Sequence, residues 1–136
     1  MFPAPRERVF EFFTDAALLA LWWGPAGFSI PSIDFAPRVG ATYRIEMRPP
    51  EGDAFQLIGT FHEIDSPSRL AFSFEWRPPD PDDVETVAQL SFDVIDDSTA
   101  VHLSQQPFKT EARRALHRDG WNESFDKLAH LVAEHR

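Results

Sequence analysis

The apolar positions of the chain change period twice. Behind Pro5, whose missing N–H suits a first helical turn, Val9, Phe10 and Phe13 recur at helical spacing and predict a short helix. Thr14-Asp15 offers the cap of a second, in which Leu18, Leu19, Leu21 and Trp22 form a stripe that Gly24-Pro25 stops. From Phe28 to about Gln106 the pattern alternates instead. Tyr43, Ile45 and Met47 share one face of "ATYRIEMR", Leu70, Phe72, Phe74 and Trp76 one face of "RLAFSFEW", and Ala88, Leu90, Phe92 and Val94 one face of "ETVAQLSFDVI". "IDDST" then turns into "TAVHLSQ". Successive strands with turn-rich linkers this short predict an antiparallel sheet.

One sheet leaves an apolar face to cover, and the segment from roughly Glu111 to Glu134 is the long helical candidate. Trp121, Phe125, Leu128 and Val132 lie on one face of it. Upstream of Gly120 that same face carries His117, Arg118 and Arg114, while Ala112, Ala115 and Leu116 lie roughly opposite. A glycine inside a helix loses about 1 kcal/mol against alanine, so Gly120 beside Trp121 calls for a reason. Either the helix bends near Gly120 or one straight helix is apolar at one end and polar at the other. Both leave space beside Trp121, the wall of a cavity with a polar mouth. The alternative is that Gly120 lets another element pack closely against the helix.

At 136 residues, 43% hydrophobic and 13% aromatic, the chain has the size and composition of one domain with one core. No repeat, low-complexity tract or interdomain linker breaks it. Thirteen Lys and Arg against twenty-two Asp and Glu give a net charge of -9, which opposes phosphate backbones and anionic membranes and argues against nucleic acid as a partner. There is no cysteine, so disulfides, thiol nucleophiles and iron–sulfur clusters are excluded. "MFPAPRERVF" lacks a signal-peptide core, and no stretch approaches the roughly 20 apolar residues of a membrane span. The expectation is a soluble, cytoplasmic protein without a membrane span.

Reactive constellations are scarce. The histidines, His62, His102, His117, His130 and His135, show no metal-ligand spacing, so neither metal nor other cofactor is expected. Asp80, Asp82, Asp83 and Glu85 lack the glycine turn of a calcium loop and read as a solvated acidic loop. No nucleophile elbow, phosphate loop or dinucleotide fingerprint is present. General acid–base chemistry by Tyr43, His102 or His117 inside a cavity stays open, beside the plainer reading of these groups as core or edge residues.

The order of elements, and the wording "APRERVFEFFTDAALLALWWGPAGF", "VGATYRIEM", "GTFHEIDSPSRLAFSFEW" and "HRDGWNESFDKLAHL", resembles the AHSA-type subfamily, homologues of the activator of the ninety-kilodalton heat-shock protein ATPase, within the SRPBCC or START-like superfamily. The likeness covers nearly the whole chain. Its motifs are packing motifs: Trp22-Trp23 with Gly24-Pro25, the entry from Pro67 to Leu70, and the step Gly120-Trp121. The resemblance implies an α+β helix-grip fold, a curved antiparallel sheet around a long C-terminal helix with two short N-terminal helices, in a single domain over residues 1–136. It also implies a strand ahead of "APRERVF", where this sequence offers "MFP". A sheet short of most of that strand would expose an edge, and a homodimer is one outcome of such an edge.

Fold does not assign function. Members of the superfamily bind hydrophobic or amphipathic small molecules between sheet and last helix, so the candidate ligand-binding residues are Tyr43, Phe61, Phe72, Phe74 and Trp76 on strands with His117, Trp121 and Phe125 on the helix. Thirteen phenylalanines and four tryptophans favour flat apolar ligand surfaces, although ordinary core would use the same residues. The leading reading is a small-molecule binding module. A cyclase-like enzyme and a chaperone-associated interaction domain are the alternatives, the last weakened because the chaperone activators carry a further domain that this chain does not contain.

Overall fold

A computed structural model of the chain describes residues 2–79 and 81–135, so Asp80 and the side chain of His135 lie outside the described residues. The first helix, α1, spans Arg6–Thr14 with Val9, Phe10, Phe12 and Phe13 buried. Asp15 caps α2 (Ala16–Leu19) by accepting from the Leu18 amide at 3.1 Å. The predicted stripe is shorter than expected: α2 ends at Leu19, the chain turns, and Leu21 is 57% exposed while Trp22 is fully buried.

Six strands follow, β1 (Ser29–Phe35), β2 (Thr42–Arg48), β3 (Phe55–Asp65), β4 (Arg69–Arg77), β5 (Thr86–Ile95) and β6 (Ser98–Gln106), then α3 (Glu111–His135). They form one curved antiparallel sheet in sequence order. Each strand pairs with its chain neighbour because every linker is short enough for an antiparallel return. The alternating residues of β2, β4 and β5 face inward as their pattern predicts, with Tyr43, Ile45, Met47, Leu70, Phe72, Phe74, Ala88, Leu90 and Phe92 buried. Val94 is the exception, 59% exposed where β5 runs out beside the turn to β6. Trp121, Leu128 and Val132 of α3 cover the apolar face, and Phe10 and Phe13 of α1 meet Phe92 edge-on. This is the helix-grip arrangement. Among the described residues no helix is long and apolar enough to cross a membrane. The outer edge of β6 is met at one point by the segment before α1, where Phe2 and Thr99 exchange backbone hydrogen bonds of 2.8 and 2.9 Å.

The sheet is locally opened at Gly59. Tyr43 lies opposite it, and a Cβ there would come within 2.0 Å of the Ser73 carbonyl oxygen and 2.6 Å of the Tyr43 ring. The phenol donates to that carbonyl at 2.6 Å, and the Thr60 amide donates to Ser73 Oγ at 2.8 Å. Side chains replace the ladder between β3 and β4 at this point, a close approach that glycine alone admits.

Candidate ligand-binding cavity

The loop after α2 decides where the cavity forms. Trp22 anchors it, its indole N–H donating to the Phe12 carbonyl at 3.0 Å inside the core. Gly24 turns the chain at φ +90°, a backbone region that side chains with a Cβ rarely adopt. Lys127 on α3 reaches the Trp23 and Pro25 carbonyls at 3.4 Å, and its burial lowers its affinity for a proton against the opposing pull of Glu123. Trp23, Gly24, Pro25 and Phe28 are thereby held against one end of the sheet.

Between this loop, the sheet and α3 lies a cavity of about 290 Å³. The sheet contributes Met47, Phe55, Phe74 and Trp76, and α3 contributes Arg113, Leu116, His117, Gly120, Trp121 and Ser124. Pro78 and Asp83 close it from the loop between β4 and β5. The walls are aromatic and mutually packed: Trp23 meets Trp121 with ring centres 5.3 Å apart, Phe74 meets Trp76 at 5.2 Å, and Phe28 meets Phe55 at 6.1 Å. Edge-to-face contacts of this kind are worth about 0.5–1.5 kcal/mol beyond burial, so the empty space has stiff walls.

Helix α3 runs unbroken through Gly120, which excludes the break considered from the sequence. A Cβ on Gly120 would meet Pro25 Cγ at 3.6 Å, an ordinary contact, and nothing else within 4 Å beyond its chain neighbours and its own helix backbone. Close packing therefore does not demand glycine here. What the glycine leaves is room between α3 and the tryptophan loop.

The polar groups of the cavity are committed to one another. Trp76 Nε1 donates to His117 Nε2 at 3.0 Å, so that nitrogen is an acceptor, and His117 Nδ1 then donates to the Arg113 carbonyl at 2.8 Å. The ring is wedged among Phe74, Trp76 and Phe108, and burial holds its pKa below the ordinary histidine value, aided by the Arg113 charge and opposed by its backbone hydrogen bond and by Asp83. Arg113 in turn binds Asp83 through Nε at 3.0 Å and through Nη2. The Asp83 side chain is 7% exposed, which corrects the reading of the acidic loop as wholly solvated. Arg113 draws that loop onto α3. Trp121 Nε1 donates to Gln105 of β6 at 2.8 Å.

Of the residues singled out from the sequence, Phe74, Trp76, His117 and Trp121 meet at this cavity. Tyr43, Phe61 and Phe72 do not; they surround a gap of about 10 Å³ deeper in the core with Phe13 and Leu19. The Tyr43 hydroxyl is spent on Ser73, and burial raises its pKa well above that of a free phenol. Phe125 packs against Phe2, Phe13 and Trp121 in the core. His102 sits on the outside beside Asp93, 3.4 Å away. Sequence reasoning missed Trp23, Phe28, Met47 and Phe55 as wall residues, and Arg113 with Asp83 at the mouth. Met47 carried a usable signal, since it stands on the inward face of β2 one step beyond Ile45.

Comparison with known proteins agrees with the fold. Among solved structures, a Chromobacterium violaceum protein is 22% identical, with 96% of this chain and 91% of that one aligned at a TM-score of 0.86. The AHSA1 protein of Silicibacter pomeroyi is 25% identical over 99% and 94% of the two chains, also at 0.86. A Rhodobacter sphaeroides protein is 24% identical over 98% and 89%, at 0.83. No curated protein matches the sequence. The family model described as activator of Hsp90 ATPase homolog 1-like protein matches residues 3–133, and the chain belongs to that family.

Proposed function

We propose that the protein binds a hydrophobic or amphipathic small molecule in the cavity between the sheet and α3. One observation carries this reading: a preformed space of about 290 Å³ walled by six aromatic rings, Trp23, Phe28, Phe55, Phe74, Trp76 and Trp121. That is about twice the roughly 150 Å³ of an apolar cavity able to hold benzene. A groove of about 630 Å³ on the outer face of the sheet, around Thr42, Arg44, Thr60 and Glu75, is larger but more polar, and an apolar ligand would gain less there.

The same geometry argues against acid–base catalysis. A general base needs a free lone pair within reach of its substrate. Both His117 nitrogens are engaged, Tyr43 is bonded away from the cavity, and His102 lies outside it. Binding needs none of them. Native mass spectrometry of freshly purified protein should show a co-purifying apolar mass, and the neutral dye N-phenyl-1-naphthylamine should gain fluorescence with one-to-one saturation. Absence of both would sink the proposal.

A further inference from the structure

The two edges of the sheet differ in character. β1 is blunted: it carries Pro31 and Asp34, and its pairing to β2 slips between Ser29 and Ser32. β6, "STAVHLSQQ", has no proline and no Asp, Glu, Lys or Arg. Edge strands are ordinarily protected by such residues, because a row of unpaired N–H and C=O groups invites another strand.

The open row on β6 can be named. Thr99 exchanges both of its backbone hydrogen bonds with Phe2, so its N–H and C=O point away from β5. Backbone groups two residues apart on a strand point to the same side. Those of Val101, Leu103 and Gln105 therefore point outward as well. β6 is the last strand of the sheet, and among the described residues these outward groups have no backbone partner. The side chains of Val101 and Leu103 rest on the core but are only partly buried, so a strand laid beside them would cover further apolar surface.

We propose that this edge pairs with the same edge of a second copy of the chain, β6 antiparallel to β6, about a two-fold axis at Leu103. In that register Leu103 faces Leu103 of the second copy and Val101 faces its Gln105, and each facing pair exchanges two N–H···O=C bonds. The strand fits itself at both ends. The next position, two residues out, sets Thr99 opposite Pro107: Thr99 is already taken by Phe2, and Pro107 has no N–H to give. Shifted either way, at least one of Val101, Leu103 and Gln105 falls opposite Thr99 or Pro107 and loses its bonds. The strand also carries no acid, so a chain of net charge -9 meets its copy there without setting carboxylates face to face. None of the three residues lines the cavity, and the pairing is independent of what the cavity binds.

Analytical ultracentrifugation from about 10 μM to about 1 mM protein should show a monomer–dimer equilibrium. Amide hydrogen exchange of the wild type reads the edge itself. The N–H groups of Val101, Leu103 and Gln105 should exchange more slowly as concentration rises, while those of His102 and Ser104, turned toward β5, stay slow throughout. Leu103→Pro removes an outward N–H and no bond to β5, so it should fold and should dimerise roughly tenfold more weakly or worse. If it fails to fold, the exchange pattern of the wild type still decides. A monomer over the whole range, or a dimer in which the three amides stay fast, would overturn the proposal. So would slow exchange at these amides that does not depend on concentration, which would mean that the edge is covered within one chain. A folded Leu103→Pro that dimerises as tightly as the wild type would count against it equally.

Discussion

His117 is bound at both ring nitrogens, and this fixes the form it must take. Accepting from Trp76 and donating to Arg113 requires the neutral ring, and burial strengthens that preference by lowering its pKa. A proton on Nε2 would set two donors face to face. The folded state therefore binds that proton less readily than the unfolded chain, whose histidine titrates near 6.5. The contribution is complete above about pH 6.5 and is lost as pH falls from there through the lower folded value. The expected outcome is a wild type that loses stability in this window more steeply than His117→Gln, measured by urea unfolding across pH; parallel profiles would show that the ring does not titrate this way. Single residues also show why the candidate site was half legible. Alternation puts Phe72 and Phe74 on the same face, but it does not say how far along β4 the helix crosses. Phe74 and Trp76 thus reach the cavity, while Phe72 stays in the core with Tyr43 and Phe61. The Arg113–Asp83 pair spans thirty positions of sequence, beyond any local pattern.

Elements were legible in proportion to their periodicity. α3, β2, β4 and β5 follow theirs, because each buries a single face. β1, "SIPSIDF", gave no signal as a strand: it is a sheet edge, carries Pro31, pairs irregularly between Ser29 and Ser32, and has no fully buried position. α3 held the most informative local conflict, a glycine in the middle of an unbroken helix. Its burial is also uneven, with Leu116 exposed upstream of Gly120 and Leu128 and Val132 sealed downstream. Because a Cβ at Gly120 would touch Pro25 Cγ at 3.6 Å, Gly120→Ala should fit. It should stabilise the fold by up to about 1 kcal/mol through helix propensity. The added methyl occupies the space between α3 and the tryptophan loop, so dye binding should weaken several-fold. Thermal melts and dye titrations of this one variant decide the matter: a lower melting temperature with unchanged binding would mean that Gly120 serves packing and not the cavity.

At the scale of the molecule, the cavity and the core share their walls, so a molecule bound there would stabilise the fold. Trp121 stands at the junction. Its ring meets Phe125 of the core and Trp23 of the cavity wall, and its N–H ties α3 to Gln105 of β6. A tryptophan packed on all sides loses about 3–5 kcal/mol on truncation to alanine. Trp121 already lacks partner atoms on its cavity side, so Trp121→Ala should cost about 2–3 kcal/mol, including the lost hydrogen bond. Binding should suffer more. A ligand at a hundred times its dissociation constant adds about 2.7 kcal/mol to the folded state. For a domain of this length that raises the melting temperature by roughly 8–10 °C. The wild type should show this rise with N-phenyl-1-naphthylamine, and Trp121→Ala should show almost none at the same dye concentration. The two effects separate because stability is read without dye and the shift is read against each protein's own baseline. A variant that loses 4 kcal/mol or more, from a wild type whose melting temperature the dye does not move, would make Trp121 an ordinary core residue and the space beside it a packing defect.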